Sequence, residues 1–125
     1  METDNKHPRG LKHVWHATLT ALAGLRAAWQ HEDAFRQEVL VAVVAISVAL
    51  LLPVSIFGKA LMIASILLVL IVELLNSALE AAVDHTSMEP HPLAKRAKDI
   101  GSAAVLLSIV NAVVVWGLVI APALF

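Results

Sequence analysis

The sequence contains no cysteine and no tyrosine, and it is poor in charge. The lack of cysteine excludes disulfide scaffolds, zinc–thiolate sites and thiol nucleophiles. Its five glycines, Gly10, Gly24, Gly58, Gly101 and Gly117, are too scattered for a GxGxxG turn or a Walker loop. A formal net charge of −1 offers no basic patch, so nucleic acid is not expected as a partner. Charged residues make up only 15 % of the chain, where soluble domains carry about 25 %. Hydrophobic residues reach 59 %, and mean hydropathy is +0.81. A globule of 125 residues has too much surface for its volume to hide that much apolar side chain. The expectation is an integral membrane protein.

Uncharged runs mark the spans. One extends from Val39 to Gly58, another from Ala60 to Val72 and on to Val83 with only Glu73 and Glu80 intruding, and a third from Ile100 to Phe125. A spanning helix needs about 20 mostly apolar residues, which predicts transmembrane helices over 34–52, 56–84 and 93–121. The first reads as a span rather than a cleaved signal peptide, because about thirty residues precede it. Upstream of them, Leu11, Trp15, Leu19, Leu22, Leu25 and Trp29 recur at helical spacing within about 120° of one another. Residues 8–31 are therefore expected to form an amphipathic surface helix anchored by its tryptophans. His85 to Pro92 is polar and twice broken by proline, hence a loop, and Pro92 suits the first turn of the last helix. The fold class expected is an all-α membrane protein, one domain over 1–125.

Lysine and arginine set the orientation. Lys6, Arg9, Lys12, Arg26 and Arg36 precede the first span, and Lys95, Arg96 and Lys98 lie between the second and third, while only Lys59 lies between the first two. The positive-inside rule puts the N-terminus and the second loop in the cytoplasm and the C-terminus outside. Three spans enclose too little volume for a sizeable site, so a homo-oligomer is expected.

Chemistry concentrates in Glu73-Leu-Leu-Asn76-Ser77-Ala-Leu-Glu80-Ala-Ala-Val-Asp84. At about 100° per residue, Asn76, Glu80 and Asp84 fall at about −60°, −20° and +20° from Glu73, one polar face on an apolar helix. An ionisable residue at mid-membrane costs about 2.5–3.5 kcal/mol even on insertion scales. With the span starting near residue 57, Glu73 lies about 24 Å into a core of about 30 Å, and Glu80 reaches the cytoplasmic boundary. There a carboxylate can meet a lipid headgroup from one side and a cytosolic solute from the other. Asn76 alone serves equally well as an inter-helix hydrogen-bonding group; four such groups on one stripe point to function.

Lys95 and Arg96 read as ordinary flanking charge. Lys98, beside Asp99 and one turn before Ser102, is either that or a phosphate ligand. Glu32, in the cluster Glu32-Asp33-Ala-Phe35-Arg36-Gln-Glu38 where the surface helix meets the first span, joins Glu73 and Glu80 in a hard-oxygen set that suits Mg²⁺. His13 and His16 are one turn apart but have no third ligand at convincing spacing. Trp116 reads as an outer-interface anchor, and Ala78/Ala82 with Gly101/Ala104 as helix-packing contacts.

The paired stretches Glu73 to Asp84 and Arg96-Ala-Lys98-Asp99-Ile-Gly101-Ser102-Ala-Ala-Val105, with Gly24-Leu-Arg26-Ala-Ala-Trp29 and Ala34-Phe-Arg-Gln-Glu38, closely resemble the prokaryotic diacylglycerol kinase family. The likeness runs from about residue 10 to the C-terminus. It implies a homotrimeric inner-membrane enzyme that passes the γ-phosphoryl group of MgATP to diacylglycerol, with sites shared between subunits. On that likeness Glu73 is the proton acceptor, and Glu32 and Glu80 hold Mg²⁺. Lys98, Asp99, Glu89, Pro90, His91 and His13 meet ATP, although His13 stands where the family often has an arginine and Thr20 where it often has a tyrosine. Arg26, Ala27, Ala28, Trp29, Ala34, Phe35, Arg36, Gln37, Glu38, Ser102 and Trp116 line the lipid, and Asn76 is a positioning group. A related branch phosphorylates undecaprenol; Asn76-Ser77 and Gly101-Ser102 resemble the diacylglycerol branch more. From another class, a small proton-coupled transporter also places a glutamate inside short spans, but would not need polar groups crowded at one end.

Overall fold

A computed structural model describes residues 10–86 and 91–125. The chain falls into two compact units, one ending at Asp33 and the other covering Ala34–Phe125.

The first unit carries one helix, α1 (Leu11–His31). It starts later than residue 8 because Gly10 adopts φ 68°, ψ −134°, a backbone conformation open to glycine and strained for other residues; residues 8 and 9 lie outside the described part. It ends because Glu32 turns extended, at φ −119° and ψ 105°, while its N–H still bonds the carbonyl of Ala28 at 2.9 Å. The hydroxyls of Thr18 and Thr20 donate to the carbonyls four residues back, at 2.8 and 3.0 Å, so the helix absorbs its own hydroxyls. The apolar stripe is exposed, Trp15 at 62 %.

In the second unit α2 (Asp33–Leu51), α3 (Ile56–Thr86) and α4 (Pro92–Leu124) are the three helices long and apolar enough to cross a membrane. α3 begins at Ile56 as expected, and the other ends depart from the expected spans by one to three residues. Asp33 puts a negative charge in the first turn of α2, where the helix dipole favours it. Pro92 occupies the first turn of α4 with His91 as its N-cap, the His91 Nδ1 accepting from the N–H of Leu93 at 3.0 Å. Pro122 sits close enough to the C-terminal end for α4 to run through it to Leu124. At 1.5 Å per residue, α3 and α4 are about 46 and 50 Å long, against a hydrocarbon core of about 30 Å. The charges of α4, Lys95, Arg96, Lys98 and Asp99, all fall within its first eight residues.

The link between α2 and α3 is stapled from inside. Lys59 Nζ donates to the carbonyls of Ala49, Leu50 and Leu52 at 3.1, 2.8 and 2.7 Å, satisfying acceptors that the end of α2 leaves open. Ser55 Oγ accepts from the N–H of Gly58 at 3.0 Å and caps the start of α3.

α3 and α4 form an antiparallel pair. On α3 the buried residues Gly58, Met62, Ser65 and Glu73 follow helical spacing, and half-buried Asn76, Glu80 and Val83 continue the same stripe. On α4 the stripe runs through Gly101, Val105, Ser108, Ala112 and Trp116. Small residues on both stripes let the backbones approach, as packing within a membrane requires. Gly101 makes such a contact, as expected. Ala78, Ala82 and Ala104 do not within this chain; they are exposed, Ala78 and Ala82 because they lie about 140° and 180° around the helix from Glu73.

Candidate active site

The polar stripe of α3 becomes more exposed along its length. Glu73 is buried, at 6 % exposure, inside a helix able to span the membrane. Glu38 from α2 lies near enough for the two carboxyl groups to interact electrostatically, and Glu38 Oε1 is buried with no hydrogen-bond partner. One turn on, Asn76 and Ser77 are half-buried, and Asn76 Oδ1 and Ser77 Oγ are also buried without a hydrogen-bond partner. Asn76 Nδ2 donates to Glu80 Oε2 over a long 3.5 Å. At the exposed end Asp84 Oδ1 accepts from Lys98 Nζ of α4 at 2.9 Å.

Three orphaned polar atoms in one neighbourhood are unusual, because buried polar atoms are normally satisfied. Glu38 also lines a cavity of about 340 Å³, with Gln37, Val41 and Ala42 of α2, Ile66, Val69 and Leu70 of α3 and Ile109 of α4. Apart from Glu38 and Gln37 its lining is apolar.

The structure brings together Glu38, Glu73, Asn76, Glu80, Asp84 and Lys98. It separates the neighbours Lys98 and Asp99: Asp99 Oδ2 accepts from Lys95 Nζ, one turn earlier on the exposed side, at 2.6 Å. Ser102 is exposed on α4. Phe35 is buried and Ala34 and Gln37 are exposed on α2, beside half-buried Arg36. The side chain of His91 is engaged through Nδ1 as the cap of α4. Glu89 and Pro90 lie outside the described residues. His13, Arg26, Ala27, Ala28 and Trp29 lie on α1, and Glu32 is its extended C-terminal cap. Trp116, expected as an interface anchor, turns its indole N–H into the α3–α4 seam, donating to the Met62 carbonyl and Ser65 Oγ, both at 3.2 Å.

Sequence reasoning missed two features. Ser77 could have been found as the residue one turn beyond Glu73. The contact between Glu38 and Glu73 joins two helices, and no spacing within either announces it.

Among the described residues no three of His, Asp or Glu come together to hold a metal ion unaided. Glu80 and Asp84, one turn apart on α3, offer hard carboxylate oxygens. They fit Mg²⁺, which takes one or two carboxylates and completes its shell with water and substrate phosphates.

A model of the prokaryotic diacylglycerol kinase family matches residues 19–120. The chain belongs to that family. It is similar to the diacylglycerol kinase of Pseudomonas aeruginosa, 54 % identical over 115 residues, which cover 92 % of this chain and 94 % of that protein. The diacylglycerol kinase of Escherichia coli K12 is 53 % identical over 93 residues, 74 % of this chain and 76 % of the relative. That of Haemophilus influenzae is 43 % identical over 108 residues, 86 % and 92 % of the two chains. The family match takes in α2, α3 and nearly all of α4, and with them every polar atom just described. As a member of this family the chain is a membrane-embedded kinase.

Proposed function

We propose that the protein transfers the γ-phosphoryl group of MgATP to the free hydroxyl of diacylglycerol, forming phosphatidic acid and ADP. It works as a homotrimer in the bacterial inner membrane. α1 lies in the cytoplasmic interface, the 84–98 end of α3 and α4 faces the cytoplasm, and the C-terminus is outside. The observation that carries this reading is the buried Glu73 carboxylate, placed between an apolar cavity and a charged helix end.

Each group has a task. An acyl chain in the cavity beside Glu38 brings the lipid hydroxyl to Glu73, which accepts its proton. The hydroxyl oxygen then forms a bond to the γ-phosphorus as the bond to the β–γ bridging oxygen breaks and ADP leaves. By family likeness Glu80 and Glu32 would hold Mg²⁺, which would supply neutralising charge on the phosphates. Lys98 exchanges its Asp84 partner for phosphate oxygens. Asp99, His13, Glu89, Pro90 and His91 are assigned to the nucleotide, and Asn76 orients Glu80. Arg26 to Trp29, Ala34 to Glu38 and Ser102 are assigned to the lipid by family likeness, and so is the ring of Trp116, whose indole N–H stays bonded in the α3–α4 seam. Phosphoryl transfer needs positioning and charge neutralisation above all, so carboxylates, Mg²⁺ and a lysine suffice without a Walker loop.

The test is transfer of labelled γ-phosphate from ATP in mixed micelles, with diacylglycerol and undecaprenol in competition. Mg²⁺-dependent labelling of diacylglycerol in preference to undecaprenol supports the reading. Preferential labelling of undecaprenol moves the protein to the polyprenol branch, and labelling of neither overturns the reading.

A further inference from the structure

Gly101 stands opposite the orphaned amide of Asn76. A methyl group placed on Gly101 would overlap Asn76 Oδ1 outright and would lie 3.4 Å from Asn76 Cγ and 3.0 Å from Leu79 Cδ2. The absent side chain is thus the space that the Asn76 amide occupies. With Oδ1 pressed against α4, Nδ2 is left directed at Glu80 Oε2. The Asn76 side chain is half-buried, and Oδ1 has no hydrogen bond to hold it there. Its orientation therefore rests on shape, and the shape is that of Gly101.

A second close approach in the same helix pair provides a contrast. A methyl on Gly58 would lie 2.8 Å from Val119 Cγ1. A valine is branched at Cβ and stiff at χ1, so relief there requires the helices to move. At Gly101 the obstructing atom is the tip of a rotatable side chain, so relief comes from turning the amide away from Glu80.

We infer that Gly101 is a positioning residue for the phosphoryl-transfer site: its missing side chain seats the Asn76 amide and thereby aims it at Glu80. The inference rests on the kinase reading above. It assigns to a glycine on the opposite helix a task that Asn76 cannot perform alone.

The experiment compares Gly101→Ala, Asn76→Ala and the double variant as full chains in detergent micelles. Three quantities are read: melting temperature, transfer rate, and thermal stabilisation by Mg²⁺ with the nonhydrolysable analogue AMP-PCP. Gly101→Ala should melt below wild type and lose transfer severalfold, as expected when a long hydrogen bond to a charged group is lost. The double variant removes the overlapping atom, so it should recover the lost melting temperature. Its transfer and its analogue-induced stabilisation should stay at the Asn76→Ala level, because the two changes damage one interaction. Gly58→Ala should instead combine with Asn76→Ala additively.

Three results would overturn the inference: a double variant that melts no higher than Gly101→Ala, losses of analogue-induced stabilisation that add, or wild-type transfer by Gly101→Ala. If Gly101→Ala alone folds poorly, the double variant still decides the matter through its recovery. Failure of the wild-type protein to transfer phosphate at all overturns the kinase reading, and this inference with it. Failure of the stability recovery removes the inference alone.

Discussion

The two ends of the α3–α4 pair handle polarity in opposite ways. Near Pro53, Lys59 bonds three carbonyls, Ser55 caps α3, and the indole of Trp116 is matched by Met62 and Ser65. Towards the far end, Glu38 Oε1, Asn76 Oδ1 and Ser77 Oγ are buried without partners. Both regions bury polar side chains among apolar ones. One is closed on itself; the other retains bonding capacity for groups that arrive from outside. In a spanning segment an ionisable residue is expensive. The comparison therefore separates polarity that holds a scaffold together from polarity held in reserve for phosphate, metal and lipid hydroxyl.

Three substitutions separate the roles of the two ends. Glu73→Gln keeps the shape and removes the base. Transfer should fall by about 10²–10⁴-fold, with oligomer size and melting temperature preserved; retention of most of the turnover would end the general-base assignment. Glu80→Gln should raise the Mg²⁺ concentration for half-maximal transfer by about tenfold or more, and an unchanged Mg²⁺ titration would count against metal ligation. At the closed end, Lys59→Met keeps the aliphatic stem and deletes three donated bonds. It should cost about 1–3 kcal/mol of stability, seen as a lower melting temperature, with the transfer rate of the folded enzyme within about twofold of wild type. A Lys59→Met protein that melted normally but transferred poorly would erase the distinction between the two ends.

How much of this was legible beforehand depended on whether the signal was local. The three spans could be read because lipid forbids scattered charge, and helix ends fell within a few residues of expectation. The shared face of Glu73, Asn76, Glu80 and Asp84 follows from helical period alone, and the structure buries Glu73, half-buries Asn76 and Glu80, and leaves Asp84 exposed. The pairing of Lys95 with Asp99 was also present in their one-turn spacing, although Asp99 was read towards the nucleotide. Contacts between helices were not legible. The seat of Asn76 on Gly101 requires the register of α3 against α4, the three carbonyls on Lys59 require the path of the 52–55 link, and the approach of Glu38 to Glu73 requires the packing of α2. Periodicity says which face is buried. It does not say which residue waits opposite.

The most direct test of the division is hydrogen exchange in micelles with and without Mg²⁺–AMP-PCP. Slower exchange confined to residues 76–86 and 91–101, with none gained over 52–66, is the predicted result. Protection gained over 52–66 and absent from the 76–101 end would contradict this division, because Lys59, Ser55 and Trp116 there are already bonded within the protein.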